Sequence, residues 1–289
     1  MATIAANGIT LAYETLGDPE GVPLLLIHGL GAQMTDWPDY AVAGLVDQGF
    51  FVIQFDNRDV GASTWFDELG EPDVAGLLFG TGGSAPYLMA DMAADAAGLL
   101  EALGIGSAHV LGVSMGGMIA QQFAIDFPQA TRSLTSIMST PDPSVSPPAD
   151  EAVVALMAPA VEERSAAIEQ SIATSRIIAS PGFPFDEPGI RSRAEVHFDR
   201  GHHPVGSARQ LAAILSSPDR RPGLAGLTMP VLVVHGDADI LVAPSGGEAT
   251  AEAVPHAEHW VVAGMGHDLP VEVAPQLVAK VAALAGLSA

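Results

Sequence analysis

Six short apolar runs, none alternating apolar with polar residues, constrain this chain more than any other feature. They are Pro23–Ile27, Phe50–Phe55, Ala108–Val113, Leu134–Met138, Val231–His235 and Trp260–Ala263. A strand with one face in water alternates; a continuous apolar run suits a strand covered on both faces, as in a parallel sheet between helices. Between the runs lie stretches with helical spacing. Tyr87–Leu103 carries Leu88, Met92, Asp95, Leu99 and Leu103, and Met115–Asp126 and Val271–Leu287 behave similarly. The chain begins differently, with Thr3–Ala5 and Ile9–Thr15 flanking Asn7-Gly8, a pair that tolerates the positive φ angles of a tight hairpin turn. The expected fold is therefore α/β: a mostly parallel twisted sheet with an N-terminal antiparallel hairpin.

From Pro141 to Gly226 the rhythm breaks. No convincing strand occurs there, only Pro-rich joints and helical stretches, and a structureless loop of that length is implausible in a compact domain. The expected organisation is a core of residues 1–140 and 227–289 with an inserted helical cap subdomain at 141–226. Charge supports the division: the insert holds eight of the ten arginines and a net charge of −3, leaving −20 on the remainder.

The whole chain carries a formal charge of −23, which repels a phosphate backbone and argues against nucleic-acid partners and against docking on anionic lipid. At 48% hydrophobic and 16% charged, it has enough apolar surface to exclude a disordered chain. Cysteine is absent, which removes thiolate nucleophiles, disulfides and Cys-ligated metals together. No signal peptide is visible at Met1–Thr10, and the apolar runs are far below the ~20 residues of a membrane span. The expectation is a soluble, cytoplasmic protein.

Gly112-Val113-Ser114-Met115-Gly116 follows an apolar run and opens a helical stretch, the setting of a nucleophile elbow. Small residues at 112 and 116 let strand and helix approach, and the turn between them projects the Ser114 hydroxyl. The plain alternative is a Gly/Ser turn before an ordinary helix. An alcohol needs a base, and the base an orienting acid. His267, in Gly264-Met265-Gly266-His267, and Asp239, in His235-Gly236-Asp237-Ala238-Asp239, each lie just past an apolar run. In a parallel sheet these loops gather at the carboxyl edge beside Ser114. Asp237 and Asp142 are rival carboxylates, and His267 has the alternative of a glycine-loop histidine without a role. In His28-Gly29-Leu30-Gly31 the expected worker is the backbone N–H of Leu30, paired with that of Met115 around a developing oxyanion; His28 is expected to hold the loop.

Taken together these motifs resemble an α/β-hydrolase-fold serine esterase over nearly the whole chain. Phe55-Asp56-Asn57-Arg58-Asp59-Val60-Gly61-Ala62-Ser63 is similar to the family's D-x-R-G-x-G-x-S motif, with Asp59 replacing its first glycine. That substitution, Trp37-Pro38-Asp39, Pro184-Phe185-Asp186 and Gly264-Met265-Gly266-His267 resemble the aclacinomycin methylesterase branch, which removes a methyl ester from a polyketide. Asp56, Arg58 and Asp59 read as loop supports.

The expected activity is hydrolysis of a carboxylic ester of a small to medium apolar substrate through an acyl-enzyme. Ser114, Asp239 and His267 carry the chemistry; Gly29, Trp37, Phe183 and Phe185 are expected pocket walls. No cofactor or metal is required. A lactonase, C–C hydrolase or cofactor-free perhydrolase shares the same triad, and a non-catalytic small-ligand receptor is the third alternative. Haloalkane dehalogenases and epoxide hydrolases are excluded, since they place Asp at the elbow. His202-His203 lacks the spaced partners of a metal site, and the cap arginines are expected on a solvated helix surface. The partner is a small-molecule ester, with a homodimer left open.

Overall fold

The computed structural model describes residues 1–287. Strands β1 (Ala2–Ala6) and β2 (Ile9–Leu16) form the expected hairpin, with Asn7 at φ 48° and Gly8 at φ 79° in its turn. They are followed by β3 (Val22–Ile27), β4 (Phe50–Phe55), β5 (Ala108–Val113), β6 (Thr131–Ile137), β7 (Val231–Gly236) and β8 (Glu258–Val262). One sheet holds them in the order β1-β2-β4-β3-β5-β6-β7-β8. The β1–β2 and β2–β4 pairs are antiparallel and the others parallel.

Helices α1 (Asp39–Asp47), α2 (Val74–Leu78), α3 (Met89–Ala102) and α4 (Met115–Asp126) precede β6. Between β6 and β7 lie α5 (Asp150–Leu156), α6 (Arg164–Ile178), α7 (Glu187–Gly201), α8 (Pro204–Ser216) and α9 (Arg221–Leu224). Helix α10 (Ser245–Ala253) joins β7 to β8, and α11 (Ala274–Leu284) follows β8. No helix among the described residues is long and apolar enough to cross a membrane.

The absence of alternation now has its physical cause. Neighbouring residues of β3 serve opposite faces: Leu25 and Ile27 join Met89, Met92 and Ile119 of α3 and α4 in one core. Leu24 and Leu26 join Val42 and Leu45 of α1 and Leu277 and Val278 of α11 in the other. Both faces are dry, so every position of the strand is apolar. Helices α1 and α10, nine residues each, are additions to the elements expected from sequence. Thr131–Ser133, polar by type, extend β6 beyond its apolar run.

The insertion is tied to the core by buried charge. Three of its arginines face inward, contrary to the expected solvated surface. The guanidinium of Arg209, fully buried, donates from Nε and Nη2 to both oxygens of Asp59, at 2.9 and 2.7 Å. Tyr87 Oη donates to the same carboxylate at 2.7 Å. Arg200 Nη2 reaches Asp56 Oδ2 at 2.8 Å. Arg220 donates to Thr140 O at 2.9 Å, and burial pulls its pKa down to about 10. The reason is geometric: a helix laid across the sheet edge meets the loops after β4, where the carboxylates Asp56 and Asp59 already lie buried.

Replacing Arg209 with Met removes one charge and strands Asp59. Unfolding in urea is expected to show a loss of about 3–5 kcal/mol, as for other buried pairs broken on one side. A second expectation concerns acid. Burial lowers the pKa of His109, on β5, from 6.5 to about 4. The folded state thus resists protonation that the unfolded chain accepts, so its stability contribution, complete above pH 6.5, fades as pH falls toward 4. The stability difference between wild type and His109→Gln, followed by denaturant titration, should narrow across that window.

Candidate active site

The elbow is built by crowding. At Gly116 an added Cβ would overlap the carbonyl oxygen of Ile27, and at Gly112 the carbonyl oxygen of Gly116. Only glycine permits β5, β3 and the first turn of α4 to come this close. The chain turns there through Ser114 at φ 56°, ψ −124°, a left-handed φ that is costly for a side-chain-bearing residue and is upheld by its surroundings. The Ser114 amide donates to Ile137 O at 2.9 Å, and its carbonyl accepts from Ser139 Oγ at 2.8 Å. Gly29 lies directly against it, since a Cβ there would stand 3.2 Å from Ser114 Cβ.

The two distant loops meet this serine. Ser114 Oγ lies 2.9 Å from His267 Nε2, and His267 Nδ1 lies 2.7 Å from Asp239 Oδ2. With Nδ1–H donating to the carboxylate, Nε2 is the acceptor for the serine hydroxyl. Asp239 is itself fixed: its Oδ1 accepts from the amides of Leu241 and Val242 at 2.9 and 3.0 Å. Burial pushes its pKa up, but the His267 charge and hydrogen bonds from His235 and His267 outweigh this, and the carboxyl stays well below the usual range. The rival carboxylates are elsewhere. Asp237 Oδ1 accepts from Gly264 N at 2.6 Å, and Asp142 accepts from Ser144 N at 2.8 Å.

Residues of the insertion hold the loop bearing His267, and this was not legible in sequence. The His267 amide donates to Ile178 O at 2.8 Å, and Gly182 N to Gly264 O at 2.9 Å. Ser180 Oγ accepts from Gly266 N at 2.8 Å and donates to Asp268. Burial raises the pKa of Asp268, whose Oδ1 also accepts from Ser180 N at 2.8 Å.

On the opposite side, His28 Nδ1 accepts from Gly29 N at 2.7 Å, and burial lowers the His28 pKa, so the imidazole serves its loop as a neutral acceptor. Asp56 accepts from Met34 N and Ala62 N at 2.8 and 2.9 Å, while Asn57 Nδ2 donates to His28 O at 3.1 Å. The amides of Leu30 and Met115 have no hydrogen-bond acceptor among the described residues.

Phe183 and Phe185 line an open cleft of about 420 Å³, with Ile177, Ile240, Glu151 and Arg176. The cleft abuts the Asp239 loop through Ala238 and Ile240. Trp37 does not line it. The indole is 6% exposed, packs edge-on against His28 with centroids 4.7 Å apart, and belongs to the core under α1 and α11. Its size and apolarity are satisfied beneath the loop. His203 stacks on Trp65 and bonds Asp67 Oδ1 at 2.8 Å, and no cluster able to hold a metal ion occurs among the described residues.

Sheet, elbow and strand-end loops together define a hydrolase architecture. The chain belongs to the alpha/beta hydrolase fold family, whose model matches residues 22–272. It is similar to the rhodomycin D methylesterase of Streptomyces peucetius, 30% identical across 97% of this chain and 96% of that one. The 3-oxoadipate enol-lactonase 2 of Acinetobacter baylyi is 28% identical across 88% of this chain and 85% of that one. Among solved structures, a thermophilic esterase from Thermogutta terrifontis superposes with a TM-score of 0.67 at 26% identity, covering 98% of this chain and 95% of that one. The enol-lactonase of Burkholderia xenovorans LB400 superposes with a TM-score of 0.72 at 21% identity, covering 99% of each.

The elbow geometry generates its own test. Gly116→Ala forces a side chain into backbone, and the expected cost in urea unfolding is at least about 1–3 kcal/mol. Labelling of Ser114 by a fluorophosphonate should slow in whatever fraction folds. An alanine accepted with unchanged stability and labelling would contradict the close approach described above.

Proposed function

We propose that this chain is a carboxylic-ester hydrolase in which Ser114 is the nucleophile, His267 the general base and acid, and Asp239 the group that fixes the imidazole. The observation that carries this is the continuous hydrogen-bonded path Ser114–His267–Asp239, at 2.9 and 2.7 Å, drawn from three separate strand ends. As Ser114 Oγ attacks the ester carbonyl, its proton passes to His267 Nε2, and the imidazolium is stabilised by Asp239. The carbonyl oxygen becomes an anion between the N–H groups of Leu30 and Met115. Collapse expels the alkoxide, which takes the proton from His267 and leaves the acyl-enzyme. Water then repeats the attack and frees the acid and the serine.

The helical insertion acts as the cap, and the cleft lined by Phe183, Phe185 and Ile177 receives the apolar part of the substrate. Methyl esters of apolar acids are the substrate class to examine first, since methylesterases are among the relatives similar over nearly the full chain. An enol-lactonase among the relatives favours a second substrate form, the internal ester, which opens by the same steps. The protein acts on small molecules, with the cytoplasm as its compartment.

Turnover of p-nitrophenyl acetate or butyrate tests the assignment. Ser114→Ala and His267→Ala are each expected to lower kcat by at least about 10³, with the fold retained. Undiminished hydrolysis in both variants would remove the mechanism.

A further inference from the structure

We propose that Gln210, on α8 of the insertion, is a positioning residue for the oxyanion loop, setting the direction of the Leu30 N–H by holding the neighbouring peptide. The inference rests on the role given above to Leu30. The Gln210 side chain is fully buried. Its Oε1 accepts from Gly31 N at 2.8 Å, and its Nε2 donates to Arg58 O at 2.7 Å. One side chain thereby joins the loops that follow β3 and β4. Within residues 29–31, Gly29 N is satisfied by His28 and Gly31 N by Gln210, which leaves Leu30 N as the donor without an acceptor among the described residues.

The two ends of the loop are held from the core. Asn57 holds His28 O, and Asp56 holds Met34 N. Its middle is held by a side chain 179 residues further along the chain. Helix α8 has little room to drift. Ser207, one turn before Gln210, crowds Gly31, where an added Cβ would stand 2.7 Å from Ser207 Oγ. Arg209, the adjacent residue, is locked on Asp59. The peptide containing the Gly31 amide is therefore oriented by a rigidly placed acceptor. Donor direction matters because an oxyanion donor acts only when aimed at the oxygen's position in the transition state, and a small misplacement is costly.

The experiment compares full-length wild type, Gln210→Met and Gln210→Glu with p-nitrophenyl butyrate and with a trifluoromethyl ketone, whose adduct with serine presents an oxyanion. Gln210→Met keeps the volume and loses both bonds. It is expected to lower kcat roughly 10–100-fold and to weaken ketone inhibition by a similar factor, with KM changing little. Gln210→Glu retains both bonds while its carboxyl is protonated, accepting from Gly31 and donating to Arg58 O. Its kcat should approach wild type at low pH and fall away from it as pH rises.

Unchanged kcat and ketone inhibition in Gln210→Met would overturn the proposal. Where that variant does not fold, Gln210→Glu decides: a ratio to wild type that is flat with pH overturns it. Ser114→Ala, run in parallel, separates the two levels. If it stays active, the underlying mechanism fails; if it is dead while Gln210→Met is unaffected, only the role of Gln210 falls.

Discussion

At the crossing of β3, β5 and α4, backbone meets backbone with no space for a side chain at Gly112 or Gly116. The rest of the site depends on that contact. It forces the chain to turn within one residue, so Ser114 takes a left-handed φ of 56° and stands above the carboxyl edge of the sheet. The same turn starts α4 at Met115, whose amide is left without an intrahelical acceptor and points out of the helix N-terminus. In the proposed mechanism the nucleophile and one donor for the charge it creates thus come from one local compression. The strain is supported by two dry cores, one on each face of the sheet, which leave the strands no freedom to relax.

The insertion between β6 and β7 reaches the loops of the site. It carries acceptors and donors into both halves of the site: Ile178 O and Ser180 Oγ hold the loop with His267, and Gln210 holds the loop with Leu30. Of the arginines that fix it to the core, Arg209 and Arg220 are buried against Asp59 and Thr140, and Arg200, partly exposed, reaches the buried Asp56. A buried ion pair adds little to net stability compared with apolar packing, but it tolerates few alternative placements. The insertion is therefore placed by charge and direction, and the acidic excess of the core is matched locally where arginine arrives.

Much of the fold was legible because its signal in the chain is local. The runs Phe50–Phe55 and Ala108–Val113 became β4 and β5 without a shift, since burial on both faces writes apolarity at nearly every position, Gln54 and His109 apart. The hairpin at Asn7-Gly8 and the helix Met115–Asp126 were readable for the same reason. Helices α1 and α10 were not, because each is only nine residues long and α10 buries Gly246, Gly247 and Thr250, which make no apolar stripe. Asp239 was favoured over Asp237 and Asp142 from sequence, although each sits at a strand end, and in the folded chain it is Asp239 that lies 2.7 Å from His267. Trp37, which packs in the core, was hard to place for a related reason. An aromatic side chain has the same composition signature in a core as in a pocket.

The amino-acid order alone determined the strand–helix alternation, the glycines that admit an elbow, and the placement of Ser114, His267 and the candidate carboxylates at strand ends. These depend on residues a few positions apart, whose effect on backbone and burial is direct. Only the folded chain decided which carboxylate faces the imidazole, that Arg209 and Arg200 turn inward, and that Gln210 meets Gly31. Each of those contacts joins residues far apart in the chain, and a hydrogen bond between them leaves no periodic trace in either segment, because its geometry is set by how whole elements pack.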